Sequence, residues 1–127
     1  MVRGRRTALE PLVTEVSAEY LTSTISEREF QTTVIEMAHA YGWLVHHTRP
    51  AGTATGWRTP IQGDAGFPDL VLARGGQVII AELKRERGEL TAAQGRWLAY
   101  LGPIQWPGFQ ACVWRPSDID RIAGLLC

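Results

Sequence analysis

The chain has 127 residues and a mass of 14.1 kDa, enough for one domain with a real core and too little for a second. Hydrophobic residues make up 45% and charged residues 20%, which excludes a disordered or collagen-like chain, and no apolar run approaches the ~18 residues of a membrane helix. Thirteen cations balance thirteen acids, which speaks against a protein that holds nucleic acid by bulk charge alone.

Residues 1–24 carry little pattern. Arg3, Arg5 and Arg6 lead into Leu9, Leu12, Val13 and Val16, a helical spacing interrupted by Pro11. The segment reads as an arm or accessory helix ahead of a domain over 25–127, and it opens on polar sequence rather than on the apolar stretch of a signal peptide. The first clear helix starts at Ser26, where Ser26 and Glu29 form a capping box. Phe30, Val34, Met37, Ala38 and Tyr41 recur at helical spacing behind it, and Gly42 ends the run. Residues 43–48 are β-prone and predict a strand.

Residues 49–67 are rich in Gly, Thr, Pro and Ala and show no period, as in a lid, a binding loop or a plain insertion. Residues 70–74 and 77–83 are apolar runs joined by Gly75 and Gly76. Two glycines between such runs signal a two-residue hairpin, because a type I′ turn needs positive φ at both positions. Both faces of this ribbon are mostly apolar, which predicts a central pair covered on both sides. Thr91 and Gln94 make a second capping box, opening a helix with Trp97, Leu98 and Leu101 inward and Gly102 near its end. Residues 110–114 predict a further strand, and Ser117 then caps a terminal helix carrying Ile119, Ile122 and Leu125. The order α-β-β-β-α-β-α implies an α/β fold, a small mixed sheet with helices on both faces. The two cysteines, Cys112 and Cys127, are too few for a disulfide scaffold and wrongly spaced for zinc, so a reducing, cytoplasmic setting is expected.

The chemistry gathers at one end of the hairpin. A turn at Gly75 and Gly76 pairs Arg74 with Gln77, and the same arithmetic sets Leu72 opposite Ile79, Leu70 opposite Ala81, and Asp69 opposite Glu82. Opposed side chains share a face with Cβ atoms ~5 Å apart, and Lys84, two residues beyond Glu82, points the same way. Lys84 is the only lysine among the thirteen cations, the rest being arginine. Two carboxylates set opposite one another repel, so the pair calls for a compensating group. A hard divalent cation is one answer, and neutralisation by Lys84 alone is the other. Glu27, at ~100° per residue, falls within roughly 40° of the apolar stripe of the first helix and is the acid there best able to look toward the sheet. Glu29 lies outside that stripe and has its capping role.

These residues resemble a known pattern. Pro68-Asp69, twelve residues, then Glu82-Leu83-Lys84 resembles the PD-(D/E)xK signature of restriction-endonuclease-like nucleases. Gly66-Phe67-Pro68-Asp69-Leu70-Val71-Leu72, Ala81-Glu82-Leu83-Lys84 and Thr91 with Gln94 are similar, in the same order, to the virus-type replication-repair nuclease (VRR-NUC) group. The run from Glu27 to Phe30 resembles the first helix of archaeal-type Holliday-junction resolvases. The resemblance implies that Asp69 and Glu82 ligate Mg²⁺ or Mn²⁺ with the Leu83 carbonyl as a further oxygen, and that Glu27 contributes directly or through water. It implies that Lys84 positions or activates the attacking water. Gln94 would orient these groups, unless its capping box is its whole role. His47, near the active end of the first strand, is a candidate phosphate contact or an ordinary histidine.

No GxSxG elbow, Walker A sequence or HExxH pattern is present, so nucleophilic hydrolysis, nucleotide-driven work and a zinc-protease site are not encoded. The expected activity is a metal-dependent DNA endonuclease selective for branched DNA, a Holliday-junction resolvase-like enzyme. A general nickase or flap nuclease of phage or mobile-element replication is the alternative within enzymes, and a catalytically idle DNA-binding module the alternative outside them. Paired nicks imply a homodimer, with tryptophans among Trp57, Trp106 and Trp114 exposed for contacts. Zero net charge puts DNA affinity on a local surface of Arg49, Arg58, Arg85, Arg87 and the N-terminal arginines. No membrane and no nucleotide cofactor are expected, and the setting is a bacterial or phage-infected cell.

Overall fold

The computed structural model describes residues 25–48, 51–53, 56–58 and 61–127, with backbone alone at 51–53 and 56–58. The expected N-terminal arm, 1–24, lies outside the described residues. Helix α1 (Glu27–Ala40) begins at the Ser26 cap, with the Ser26 hydroxyl accepting from the Glu29 amide and the Glu29 carboxylate reaching back. It buries Phe30, Val34 and Ala38. Strand β1 (Leu44–His47) follows.

Within 49–67, where the sequence shows no period, the chain forms a small antiparallel pair, β2 (Ala51–Thr53) and β3 (Gly56–Arg58). Strands of three residues are too short to display alternation, so backbone pairing here leaves no trace in the side-chain pattern.

Strands β4 (Leu70–Arg74) and β5 (Gln77–Leu83) form the expected hairpin, with positive φ at both Gly75 and Gly76. The register is the one that the turn dictates: Arg74 opposite Gln77, Leu72 opposite Ile79, Leu70 opposite Ala81. Helix α2 (Ala92–Leu101), strand β6 (Phe109–Trp114), a 3₁₀ turn (Pro116–Asp118) and helix α3 (Ile119–Leu126) complete the fold. The four-stranded sheet runs β1-β4-β5-β6, antiparallel except for the parallel β5/β6 pair, whose crossover carries α2. The hairpin therefore occupies the centre of the sheet.

One sheet face bears Leu70, Leu72, Ile79, Ala81, Leu83 and Trp114, all buried with Phe30, Val34 and Ala38 of α1 and Ile122 and Leu126 of α3. The opposite face departs from expectation. Val71, Ala73, Val78, Ile80, Ala111 and Val113 are only half-buried, and α2, which packs beside β6, has no fully buried residue; Trp97, Leu98 and Leu101 are half-buried. One short helix does not span four strands.

Three further expectations are corrected. Ser117 does not cap the terminal helix: it sits inside the 3₁₀ turn, and the helix starts at Ile119 with Asp118 before it. Leu126 rather than Leu125 is buried, because seven residues from Ile119 complete two turns and six do not. Trp114 is fully buried, not exposed, since its pairing with Leu83 turns it to the core, whereas Trp106 is 71% exposed.

The far end of the sheet is closed by Arg74. Its Nη1 donates to the carbonyls of Tyr41 and Leu126, each at 2.8 Å, at the C-termini of α1 and α3, and its guanidinium lies 4.6 Å from the Trp43 ring centroid. A cation at two helix C-termini meets carbonyls that have no partner within their helices. Arg74→Met is expected to cost about 2 kcal/mol of stability, read as a lower urea midpoint with an unchanged slope; an unchanged midpoint would show that water serves those carbonyls equally well.

Candidate active site

Asp69 precedes β4 and Glu82 is the sixth residue of β5, so the hairpin register, carried one step past the Leu70–Ala81 pair, sets them opposite each other. The carboxylate of Asp69 is oriented by the chain itself, its Oδ2 accepting from the Leu83 amide at 2.8 Å. Its backbone is tied to β1, where the Thr48 amide donates to the Asp69 carbonyl.

Glu82 is 1% exposed, the only buried acidic residue among those described. Its Oε2 accepts from Gln94 Nε2 at 2.9 Å and lies 3.7 Å from Lys84 Nζ. Its Oε1 is buried with no donor. An ionised Asp69 cannot supply one, since a carboxylate only accepts. Burial first, then the charge of Asp69 and a hydrogen bond with it, push the Glu82 carboxyl up from 4.5 to about 8, against the opposing pull of Lys84. The charge of Glu27 adds a smaller push in the same direction. Without a cation, burial and the neighbouring Asp69 therefore bias Glu82 toward its protonated form, held between an acid and an amine.

Gln94 reconciles its two expected roles. Its Oε1 accepts from the Thr91 amide and completes the helix cap, while its Nε2 donates to Glu82. One amide therefore starts α2 and fixes the buried acid. The segment leading into Asp69 is locked to the same helix. Gly66 has φ +95°, and a Cβ there would fall 2.5 Å from the Ala93 backbone, so only glycine fits. Phe67 packs edge-to-face on Trp97 at 5.0 Å, and the Trp97 Nε1–H donates to the carbonyls of Asp64 and Ala65.

Glu27 is half-buried in the first turn of α1 and close enough for its charge to be felt at Glu82. Among the described residues, however, no group of three or more His, Cys, Asp or Glu side chains is arranged to hold a metal ion, so Asp69 and Glu82 stand as a pair. Helix α1 carries Glu27 on a separate element, and no hairpin geometry draws it in. His47, a candidate phosphate contact or an ordinary histidine, pairs with Leu70, one residue from Asp69. Arg85 and Arg87 are exposed just beyond Lys84. Arg58 lies on β3, and Arg49 falls outside the described residues, as do the N-terminal arginines.

Sequence reasoning missed two groups. Arg115 Nη1 donates to the carbonyls of Arg85, Glu86 and Gly88, and Glu86 in turn accepts from the Ser117 amide, which orders the loop that bears Arg85 and Arg87. Trp97 was legible only as a core position. Its grip on residues 64–67 spans more than thirty positions of chain, and no local signal marks it.

No family model matches the sequence, and no curated protein matches it. Among solved structures, a protein described as a VRR_NUC domain protein superposes with a TM-score of 0.52 at 25% identity, over 80% of this chain and 85% of that one. The chain has a VRR-NUC-type fold. The likeness extends over most of both chains, and it agrees with the motif order of the VRR-NUC group from Gly66 to Gln94. It points to a nuclease-type domain. No helix among the described residues is long and apolar enough to cross a membrane.

The raised Glu82 carboxyl makes stability depend on pH. The folded chain keeps a proton that the unfolded chain releases above 4.5, so without metal the fold loses stability as pH rises from 4.5 to about 8. Melting curves across that window should therefore slope downward for the unaltered chain and flatten for Glu82→Gln, which keeps the neutral shape. Mn²⁺ should raise the melting temperature at the upper end and do little at the lower, where the proton already holds the site. Identical pH profiles for the two proteins would contradict the buried-acid account.

Proposed function

We propose that the chain is a divalent-metal-dependent nuclease that hydrolyses DNA phosphodiester bonds, with branched DNA of the Holliday-junction kind as its favoured substrate. The observation that carries this reading is the buried, donorless Oε1 of Glu82 beside the Asp69 carboxyl. Lys84 and Gln94 serve only Oε2, and an acid kept for structure alone would have its second oxygen satisfied too, since burying it without a partner is costly.

The donor set fits Mg²⁺ or Mn²⁺: two hard carboxylates side by side, each with one oxygen already oriented by the protein, at Oδ2 of Asp69 and Oε2 of Glu82. Asp69 and Glu82 would hold the ion, with the Leu83 carbonyl as a further oxygen and Glu27 reaching it through water. Such an ion, when bound, acidifies water and offsets charge on the phosphoryl oxygens. The remaining work belongs to the chain. Gln94 holds Glu82 in one rotamer, so the pair is preorganised before substrate arrives. Lys84, 11% exposed and beside Glu82, presents an ammonium where the attacking water and a non-bridging phosphate oxygen would sit. Arg85 and Arg87 stand next to it to receive the flanking phosphates, on a loop that Arg115 holds in shape.

The preference for branched DNA rests on the motif resemblance and on the small size of the fold, which leaves recognition to DNA shape or to a second copy. Paired nicks on a four-way junction require two sites, hence a homodimer.

The purified chain with Mn²⁺ or Mg²⁺ should nick a four-way junction symmetrically and leave linear duplex of the same sequence intact. Glu82→Ala should abolish the cut. Lys84→Ala should lower the single-turnover rate by about 10²-fold or more while junction binding persists. Equal cutting of junction, flap and duplex would make it a general nuclease, and binding without cleavage by the unaltered chain would sink the enzymatic reading.

A further inference from the structure

Beyond the acid pair, the face of α2 that leads away from Gln94 borders a small open-sided groove of about 120 Å³, lined by Asp64, Ala65, Arg96, Trp97 and Tyr100. Both of its walls run directly into the site already described. Along α2, Trp97 stands three residues and Tyr100 six residues beyond Gln94, about 4.5 and 9 Å along the helix axis. Along the other wall, Asp64 and Ala65 open the segment that continues through Gly66, Phe67 and Pro68 to Asp69. A strand of DNA whose phosphate lay at Glu82 would have its neighbouring nucleotides in reach of this groove.

The lining is chemically specific. Tyr100 is 73% exposed although it is a large aromatic, and no aromatic partner shields it among the described residues. Trp97 is rigid: its N–H is spent on two carbonyls and its ring is braced by Phe67. Arg96, four residues before Tyr100 and so on the same helix face, lies 3.9 Å from Asp64, and both are largely exposed. The groove therefore offers aromatic and guanidinium planes with no net charge. A phosphate would find the Asp64 carboxylate unfavourable. An uncharged heteroaromatic ring with hydrogen-bonding edges would find stacking surfaces, a donor in Arg96 and an acceptor in Asp64.

On the reading of this site as a DNA nuclease, we propose that the groove between Asp64 and the Arg96–Tyr100 face of α2 receives an unpaired nucleobase adjacent to the scissile phosphate. Tyr100 stacks on the base, Arg96 and Asp64 contact its edge, and Trp97 fixes the floor. A base inside a duplex cannot enter, because its faces are covered by its neighbours. The groove thus favours DNA with an unpaired nucleotide beside the cut, as at a flap or at a junction whose central pairs have opened, and it supplies that selectivity from within one chain.

The test is binding of the full chain, in EDTA so that nothing is cut, to labelled flap DNA with an unpaired arm and to blunt duplex of the same sequence, followed by fluorescence anisotropy. The unaltered chain should prefer the flap. Tyr100→Ala should weaken flap binding about tenfold and leave duplex binding unchanged. Tyr100→Phe should retain the preference and Tyr100→Leu should lose it, which separates stacking from simple apolar contact. Tyr100→Ala binding the flap like the unaltered chain, or losing flap and duplex equally, would overturn the proposal. Cleavage of the junction with Mn²⁺ is measured on the same preparations. Cutting by the unaltered chain together with normal flap binding by Tyr100→Ala would remove the base site and leave the nuclease standing. Tyr100-dependent flap binding by a chain that never cuts would keep the base site and remove the nuclease.

Discussion

Two acids forced together across a tight hairpin dominate the energetics of this small fold. The backbone pairing of β4 with β5, which ends one residue short of them, sets Asp69 and Glu82 side by side, and the surrounding residues leave Glu82 almost no exposure to water. The polar groups of the hairpin and of α2 answer that constraint, while Glu27 adds to it. The Leu83 amide takes one Asp69 oxygen, Gln94 and Lys84 take one Glu82 oxygen, and burial beside Asp69 biases the Glu82 carboxyl toward holding a proton. An arrangement that costs stability and is nevertheless this well supported marks a functional site more convincingly than the acidic residues alone would.

Helix α2 connects this constraint to the rest of the molecule. The parallel β5/β6 pair requires a crossover, and the crossover helix lands on the face that carries Glu82. Once there, it performs three tasks with three successive stretches of its length. Its first turn caps itself and holds Glu82 through Gln94. That turn also meets Gly66 at Ala93, the middle of the helix anchors residues 64–67 through Trp97, and its outer end leaves Tyr100 in solvent. The opposite face of the sheet does the conventional work of burial, with α1 and α3 packed on it and Arg74 closing both helix ends.

Much of this was legible from residue order because the relevant rules are local. A diglycine turn fixes loop length, loop length fixes register, and register places Asp69 opposite Glu82 with Lys84 alongside. The caps at Ser26 and Thr91 are written within four residues. What escaped is non-local. The side of β6 that faces the core follows from its pairing with β5, some thirty residues away, so Trp114 read as exposed although it is buried. The 3₁₀ turn at Pro116 moved the start of the last helix to Ile119, and it is Leu126, two turns on, rather than Leu125 that returns to the core with Ile119 and Ile122. Arg115, Trp97 and Arg74 act on carbonyls distant in sequence, and a carbonyl has no residue type to announce it.

The hairpin origin of the acid pair also limits how such a protein is governed. Many enzymes are silenced by hinge motions that draw essential groups apart, with each group on its own domain. Here both groups belong to adjacent strands of one ribbon in the middle of a sheet, so nothing short of unfolding parts them. On the proposed nuclease reading, restraint comes from outside: from scarcity of the ion, from a partner occluding the entrance, or from the geometry of the nucleic acid that is offered to it.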